Sequence, residues 1–171
     1  SAKKTSNSNL SLRARYWEAE AQYQLGNNEA SLANFMRLKT VLKNNNDPEF
    51  LELNYTIGYN YFKLKKYAKA IPFFEATTKQ NSIESEVLED TYIRLGDSYF
   101  ATSAYENAII SYQKVIANKG IGADYAQYQI GMSYGFIDQN EAKIAALNKV
   151  ISTYKLSSLK DDALYQLGNT Y

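Results

Sequence analysis

Gly131-Met132-Ser133-Tyr134-Gly135 spells the G-x-S-x-G pattern that elsewhere lifts a serine nucleophile onto a tight turn between a strand and a helix. That chemistry needs a base beside the serine. The 171 residues include no histidine and no cysteine, which removes Ser–His and Cys–His pairs, disulfides and thiolate zinc sites together. The glycine-flanked serine also sits inside an apolar period that reads as a helix. Carboxylate pairs are the other route to catalysis. Glu89-Asp90 and Asp161-Asp162 are sequence neighbours, so they leave a helix in different directions rather than converging. Both read as lying near helix starts, where negative charge favours the helix dipole. No acidic loop has the spacing of a calcium-binding hand. Asn54-Tyr55-Thr56 fits a glycosylation sequon but falls within a predicted helix. The expectation is no enzyme, no metal site and no cofactor.

Composition narrows the partners. Lys plus Arg (19) nearly equals Asp plus Glu (18), so the chain has no strong basic field for nucleic acid. The cluster Lys63, Lys65, Lys66 and Lys69 reads as a solvated helix end. No apolar run approaches the roughly 20 residues of a membrane span, and no hydrophobic signal segment opens the sequence. A hydrophobic share of 45% is that of a folded globular chain. The unusual enrichment is tyrosine, at 16 residues. If a surface here recognises anything, tyrosine is the residue type that carries it.

What positions these residues is an internal repeat. A short motif returns four times: Asn54-x-x-Ile57-Gly58-x-x-Tyr61, Tyr92-x-x-Leu95-Gly96-x-x-Tyr99, Gln127-x-x-Ile130-Gly131-x-x-Tyr134 and Leu164-x-x-Leu167-Gly168-x-x-Tyr171. The glycines lie 38, 35 and 37 residues apart, and Ala19 takes the equivalent place one interval earlier. Twelve residues after each small residue a second pattern starts, as Ser31-Leu32-x-x-Phe35, Ala70-Ile71-x-x-Phe74, Ala108-Ile109-x-x-Tyr112 and Lys143-Ile144-x-x-Leu147. Both halves have helical spacing, and gaps of a few residues make each pair antiparallel. The spacing predicts hairpins over 11–45, 48–81, 84–119 and 121–155, then a single helix over 158–171. That is an all-α array of about nine helices. Residues 1–10 are polar and aperiodic and read as a disordered tail or linker.

Glycine inside a helix costs about 1 kcal/mol relative to alanine, so its recurrence predicts close helix approach. Gly58 is expected to face Ala70, and Gly96 to face Ala108. Tyr67 and Tyr105 are placed to close the hairpin ends. Asp47 before Pro48 reads as a helix start, as does Ser158 three residues before Asp161. Pro72 predicts a late helix start or a local bend.

Leu/Ile-Gly-x-x-Tyr followed by Ala-x-x-x-Phe/Tyr resembles the tetratricopeptide repeat, from about Leu12 to Tyr171. The unit from Tyr92 to Ile116 is the cleanest match. The first unit lacks the glycine and framing aromatics, and the fourth carries Lys143 where a small residue belongs. The resemblance implies a right-handed α-solenoid that binds protein or peptide, with leading helices on the concave side. Intervals longer than the usual repeat look like bacterial envelope members, which implies a periplasmic or outer-membrane-associated setting. The pattern reads as cut through a fifth unit, with further repeats in a longer chain.

On that frame, three residues before each small residue stand Tyr16, Tyr55, Ile93, Tyr128 and Tyr165, and one residue after it stand Glu20, Tyr59, Asp97, Met132 and Asn169. These ten are the candidate partner-binding residues of the concave face. The chaperone-tail clamp of some family members uses Lys, Arg and Asn there. Only Arg13 and Asn169 are of that kind and they lie at opposite ends, so that ligand is not expected. The same tyrosines suit two other roles: stacking on glycans, with Glu20, Asp97 and Asn169 beside the rings, or packing between hairpins in a purely structural spacer.

Overall fold

The computed structural model describes residues 2–42 and 50–170, with side chains from residue 10 onward. Among the described residues there are nine helices and no strand. Two compact units divide the chain between Ile83 and Glu84. The first holds α1 (Ala2–Gln24), α2 (Asn28–Val41), α3 (Leu53–Lys63) and α4 (Tyr67–Thr78). The second holds α5 (Ser85–Ala101), α6 (Tyr105–Ala117), α7 (Ala123–Phe136), α8 (Asn140–Thr153) and α9 (Lys160–Gly168). Residues 2–10, read from sequence as a tail, belong to α1. A formed helix extends at one hydrogen bond per added residue, and this stretch has no Gly or Pro to stop it. The expected start at Asp47-Pro48 lies outside the described residues.

Four hairpins, α1–α2, α3–α4, α5–α6 and α7–α8, share one turn of three residues. Its middle residue is left-handed each time: Gly26 (φ 78°), Lys65 (55°), Ser103 (61°) and Asp138 (57°). The amide of that residue donates to a carbonyl three residues back, and the next amide to one five back, as in Ser103→Phe100 (3.0 Å) and Ala104→Tyr99 (2.8 Å). This double closure satisfies carbonyls that the helix end leaves without partners. Only Gly26 adopts the conformation without steric cost.

Within each hairpin the small residue of the leading helix meets the residue sixteen positions on. Phe35, Phe74, Tyr112 and Leu147 are all fully buried, as is Ala19. A methyl on Gly58 would meet the Phe74 ring at 2.8 Å, on Gly96 the Tyr112 ring at 2.5 Å, and on Gly131 the Leu147 side chain at 2.7 Å. This corrects the expected Gly–Ala pairing. A helical side chain leans back over the turn before its own Cα, so the ring at position 74 or 112 covers the level of Ala70 or Ala108. The alanines are buried as well. Their small size lets the second helix approach, and the ring behind them fills the gap.

Aromatic contacts close the hairpin ends. Tyr67 meets Phe62 edge-on at 5.3 Å, and Tyr105 meets Phe100 at 5.4 Å and stacks on Phe136 at 4.9 Å. Pro72 neither delays α4 nor lies in its first turn. It is exposed, and its missing N–H leaves the carbonyl of Ala68, also exposed, facing water rather than the core. The start of α9 is likewise shifted. Ser157, not Ser158, engages it: the Ser157 hydroxyl accepts from the Leu159 amide (3.2 Å) while donating to Asp124 (2.6 Å) on α7.

Candidate functional site

In the first unit the leading helices α1 and α3 frame a cavity of about 420 Å³. Tyr16, Trp17, Glu20 and Tyr23 line it from α1, at the spacing of one helix face. Glu52, the cap residue just before α3, and Tyr55, Thr56 and Tyr59 from its first two turns line the other side. Four of the ten candidate residues, Tyr16, Glu20, Tyr55 and Tyr59, therefore meet in one place. The rings are braced from behind. Tyr16 packs edge-on against buried Phe35 (5.5 Å) and Phe50 (5.8 Å), and the Tyr55 ring lies tilted against Phe74 (6.4 Å). Tyr59 touches Tyr55 (5.7 Å) and Tyr23 (6.1 Å). Trp17 meets Tyr16 edge-on at 5.4 Å while remaining 61% exposed. Glu20 accepts a hydrogen bond from the Gln24 side-chain amide at 2.9 Å.

Sequence reasoning missed four walls of this cavity, Trp17, Tyr23, Glu52 and Thr56. Trp17 and Tyr23 lie two before and four after Ala19, on the turns flanking the counted positions, so counting two positions per repeat passes over them. Tyr23 is the next turn up from Glu20, a signal available in the α1 period itself.

In the second unit the corresponding positions serve other ends. Ile93 lies against the start of the next hairpin, where a methyl on Gly122 would meet its Cδ1 at 2.6 Å. Tyr128 packs on the core of Leu147, Val150, Ala163 and Leu167, and burial raises its phenol pKa, with Asp162 adding to the shift. Met132 is half-buried, and Tyr165 and Asn169 are exposed on α9.

Asp97 is the nucleus of a polar network. Its Oδ1 accepts from the hydroxyls of Tyr112 and Tyr125, both at 2.8 Å, tying α5 to α6 and α7. Gln129 donates to the Tyr125 hydroxyl (2.8 Å), and Arg94 approaches Oδ2 at 3.5 Å while pairing with Asp90 at 3.0 Å. Burial raises the Asp97 pKa against the opposing hydrogen bonds from Tyr125 and Tyr112 and the charge of Arg94. Burial beside that carboxylate lifts the Tyr125 phenol to about 12 and Tyr112 higher still. A carboxylate gathered by the buried Tyr112 phenol and the half-buried Tyr125 phenol holds helices together.

Family models for the tetratricopeptide repeat match residues 51–81, 89–119 and 125–157, together more than half of the sequence. The chain belongs to the tetratricopeptide-repeat family. Solved structures agree on the fold. The chain is similar to MamA AMB-1 (TM-score 0.73, 16% identity, 87% of this chain and 76% of that one). It is similar to MamA from Desulfovibrio magneticus RS-1 (0.73, 18%, 93% and 82%) and to a Podosopora anserina putative kinesin light chain with nearly identical TPR-like repeats (0.66, 17%, 94% and 85%). No curated protein matches it by sequence. The fold is thus the all-α tetratricopeptide solenoid, and the family's general role is that of a protein–protein interaction scaffold, commonly without catalysis.

The tetratricopeptide frame accounts for the motifs that first suggested chemistry. Ser133 lies inside α7, is fully buried, and donates to the Gln129 carbonyl at 2.8 Å, so it is a helix residue and not a nucleophile on a turn. Glu89 accepts from the Gly122 amide (3.3 Å) and Asp90 pairs with Arg94. Asp161 and Asp162 occupy the first turn of α9. Asn54 accepts from the Lys39 ammonium, within the α2–α3 contact. Among the described residues no cluster of acids has the arrangement of a metal site, and no helix is long and apolar enough to cross a membrane.

Proposed function

We propose that this chain is a non-catalytic scaffold that holds an extended or helical segment of a partner protein against the concave side of its leading helices, centred on the α1–α3 cavity. One observation carries the reading: Tyr16, Glu20, Tyr55 and Tyr59 converge there from two helices, with their rings braced by buried aromatics. Braced tyrosines give large contact area with little entropy left to lose, the property of binding hot spots. Near-neutral charge favours a protein over nucleic acid. Asp97, one of three acids and amides that would accompany ring stacking on a glycan, is committed to Tyr112 and Tyr125 instead.

The test is recovery of partners from native cell extract by the intact chain and by Tyr55→Ala/Tyr59→Ala. Loss of partners by the variant, with helix content unchanged, supports the reading; equal recovery refutes it. The bacterial periplasmic or outer-membrane setting belongs to the same proposal, and fractionation of the native cell checks it.

A further inference from the structure

The second helices α6 and α8 flank a groove of about 310 Å³ floored by α7. We propose that it receives an acidic side chain, glutamate or aspartate, carried by an extended segment of a partner protein. The floor residues Gln127, Ile130 and Tyr134 recur at the spacing of one helix face, on the side of α7 away from Gln129 and Met132. The groove shares no residue with the α1–α3 cavity, so the inference stands apart from the concave-face reading.

Gln127 makes this a built site rather than a gap between helices. It is only 6% exposed, and its amide nitrogen donates to the Ala146 carbonyl of α8 at 3.1 Å, which fixes the side chain. Its own carbonyl oxygen accepts no hydrogen bond from the described residues, nor is that oxygen sealed in the core, so what it faces is the groove. A buried amide held at one end and open at the other lacks a donor, and a peptide N–H is one. The wall of α8 is pared down beside it. Ala142, Ala145 and Ala146 share one face, and fourteen residues after its repeat glycine α8 carries Ala145 where α6 carries Ile110. Small side chains there let a visiting backbone approach.

The charge comes from Lys149, on the same face of α8 one turn beyond Ala146, roughly 4.5 Å along the axis. It is exposed, and no carboxylate among the described residues pairs with it. The Tyr134 hydroxyl and the Gln113 amide line the same space as further donors. No Asp or Glu among the described residues lines the groove. One cation with neutral donors and no acid suits a carboxylate. The step from the oxygen of Gln127 to Lys149 is that of a single residue, its N–H at the one and its side chain at the other. A basic segment meets Lys149 as a like charge, so the groove selects by repulsion as well as attraction.

The experiment titrates the isotope-labelled full chain with end-capped Gly-Glu-Gly, Gly-Gln-Gly and Gly-Lys-Gly, and with glutarate as a free carboxylate, followed by amide NMR. The expected result with Gly-Glu-Gly is a saturable shift of α6, α7 and α8 resonances, the Gln127 side-chain amide included. Its midpoint is expected in roughly the millimolar range and to weaken with salt. Lys149→Gln is expected to weaken binding about fivefold or more, and Lys149→Glu to turn the preference toward Gly-Lys-Gly. Ala145→Leu, at an exposed position, is expected to abolish binding by filling the groove. All three variants are expected to keep the circular dichroism melt of the unsubstituted chain. No saturable shift, equal affinity for Gly-Gln-Gly or Gly-Lys-Gly, or unchanged affinity in Lys149→Gln would each overturn the assignment. So would shifts confined to α1 and α3, or glutarate binding as tightly as the peptide, which marks an adventitious anion only.

Discussion

Replacing Gly96 by alanine opposes two effects whose magnitudes the structure supplies. Helix propensity alone favours the change by about 1 kcal/mol. Against it, the new methyl would lie 2.5 Å from Tyr112 Cε1 and 2.8 Å from two further ring atoms. The ring has nowhere to go: Tyr112 is fully buried, and its hydroxyl is held by Asp97 at 2.8 Å. Swinging it aside breaks a hydrogen bond to a charged group, about 1.5–3 kcal/mol, and keeping it in place overpacks the hairpin at about 1–3 kcal/mol. A ring pinned at both ends puts the cost in the upper part of that range, so Gly96→Ala is expected to lose about 1–2 kcal/mol net. Gly168 is the internal control. It occupies the same register in α9, and a methyl there meets no heavy atom within 4 Å. Gly168→Ala is expected to gain about 0.5 kcal/mol, since it closes a helix end rather than a helix interior. Urea unfolding followed by circular dichroism measures both, and the two variants are expected to move in opposite directions. With Tyr112→Leu in the background the clash is relieved, so the two substitutions couple by about 1 kcal/mol or more. A Gly96→Ala chain as stable as the unsubstituted protein would refute the argument that glycine recurs because of ring contact.

Three further outcomes follow from named contacts. Burial holds the Asp97 carboxyl above its ordinary value, so the native state binds that proton more tightly than the unfolded chain; the stability this contributes is present at low pH and lost as pH climbs from the ordinary aspartate range through the raised native value. Asp97→Asn is expected to flatten that slope in unfolding free energies measured from about pH 4 to 7. Lys65→Gly and Ser103→Gly remove left-handed strain at φ 55° and 61° and are each expected to stabilise by about 0.5–1 kcal/mol in thermal melts, whereas Gly26→Ala, at φ 78°, is expected to destabilise. Glu89→Ala removes the acceptor of the Gly122 amide and is expected to cost about 1 kcal/mol, with faster hydrogen exchange at that amide and no change at Leu159, whose amide bonds Ser157 instead.

The hairpins were legible because two signals of different kind agree, the apolar period of each helix and the return of a small residue every 35 to 39 positions. The turns were not. Three of the four hairpin turns carry Lys65, Ser103 or Asp138 at the left-handed position, Lys119 adopts it between α6 and α7, and none of these announces that conformation as Gly26 does. The partner of the helical glycine was misplaced by one turn, because the sequence shows which residues repeat but not how a side chain leans once its helix is packed. Asp97 was legible only as a repeat position, read as one of the concave-face partner-binding residues. Its partners lie 15 and 28 residues away, beyond any local pattern, so its burial under Tyr112 and Tyr125 emerges only in the folded hairpins.

The two positions beside each small residue therefore have no fixed role in this fold, and what decides their use is the chemistry of the neighbouring helices. Around Asp97 the adjacent helices bring two phenols within 2.8 Å of one carboxylate oxygen, and the site is consumed by a hydrogen-bonded tie. Ile93 and Tyr128 find apolar partners and join packing. Around Glu20 the facing helix brings Tyr55 and Tyr59, whose rings pack on Phe74 and on each other, and the charge stays at the edge of a cavity. A carboxylate gathered by donors from neighbouring helices stabilises the scaffold; the same register beside aromatic rings lines a cavity. On this argument the repeat supplies the frame, and the chemistry of the adjacent helices decides whether a counted position ties the frame together or lines a cavity.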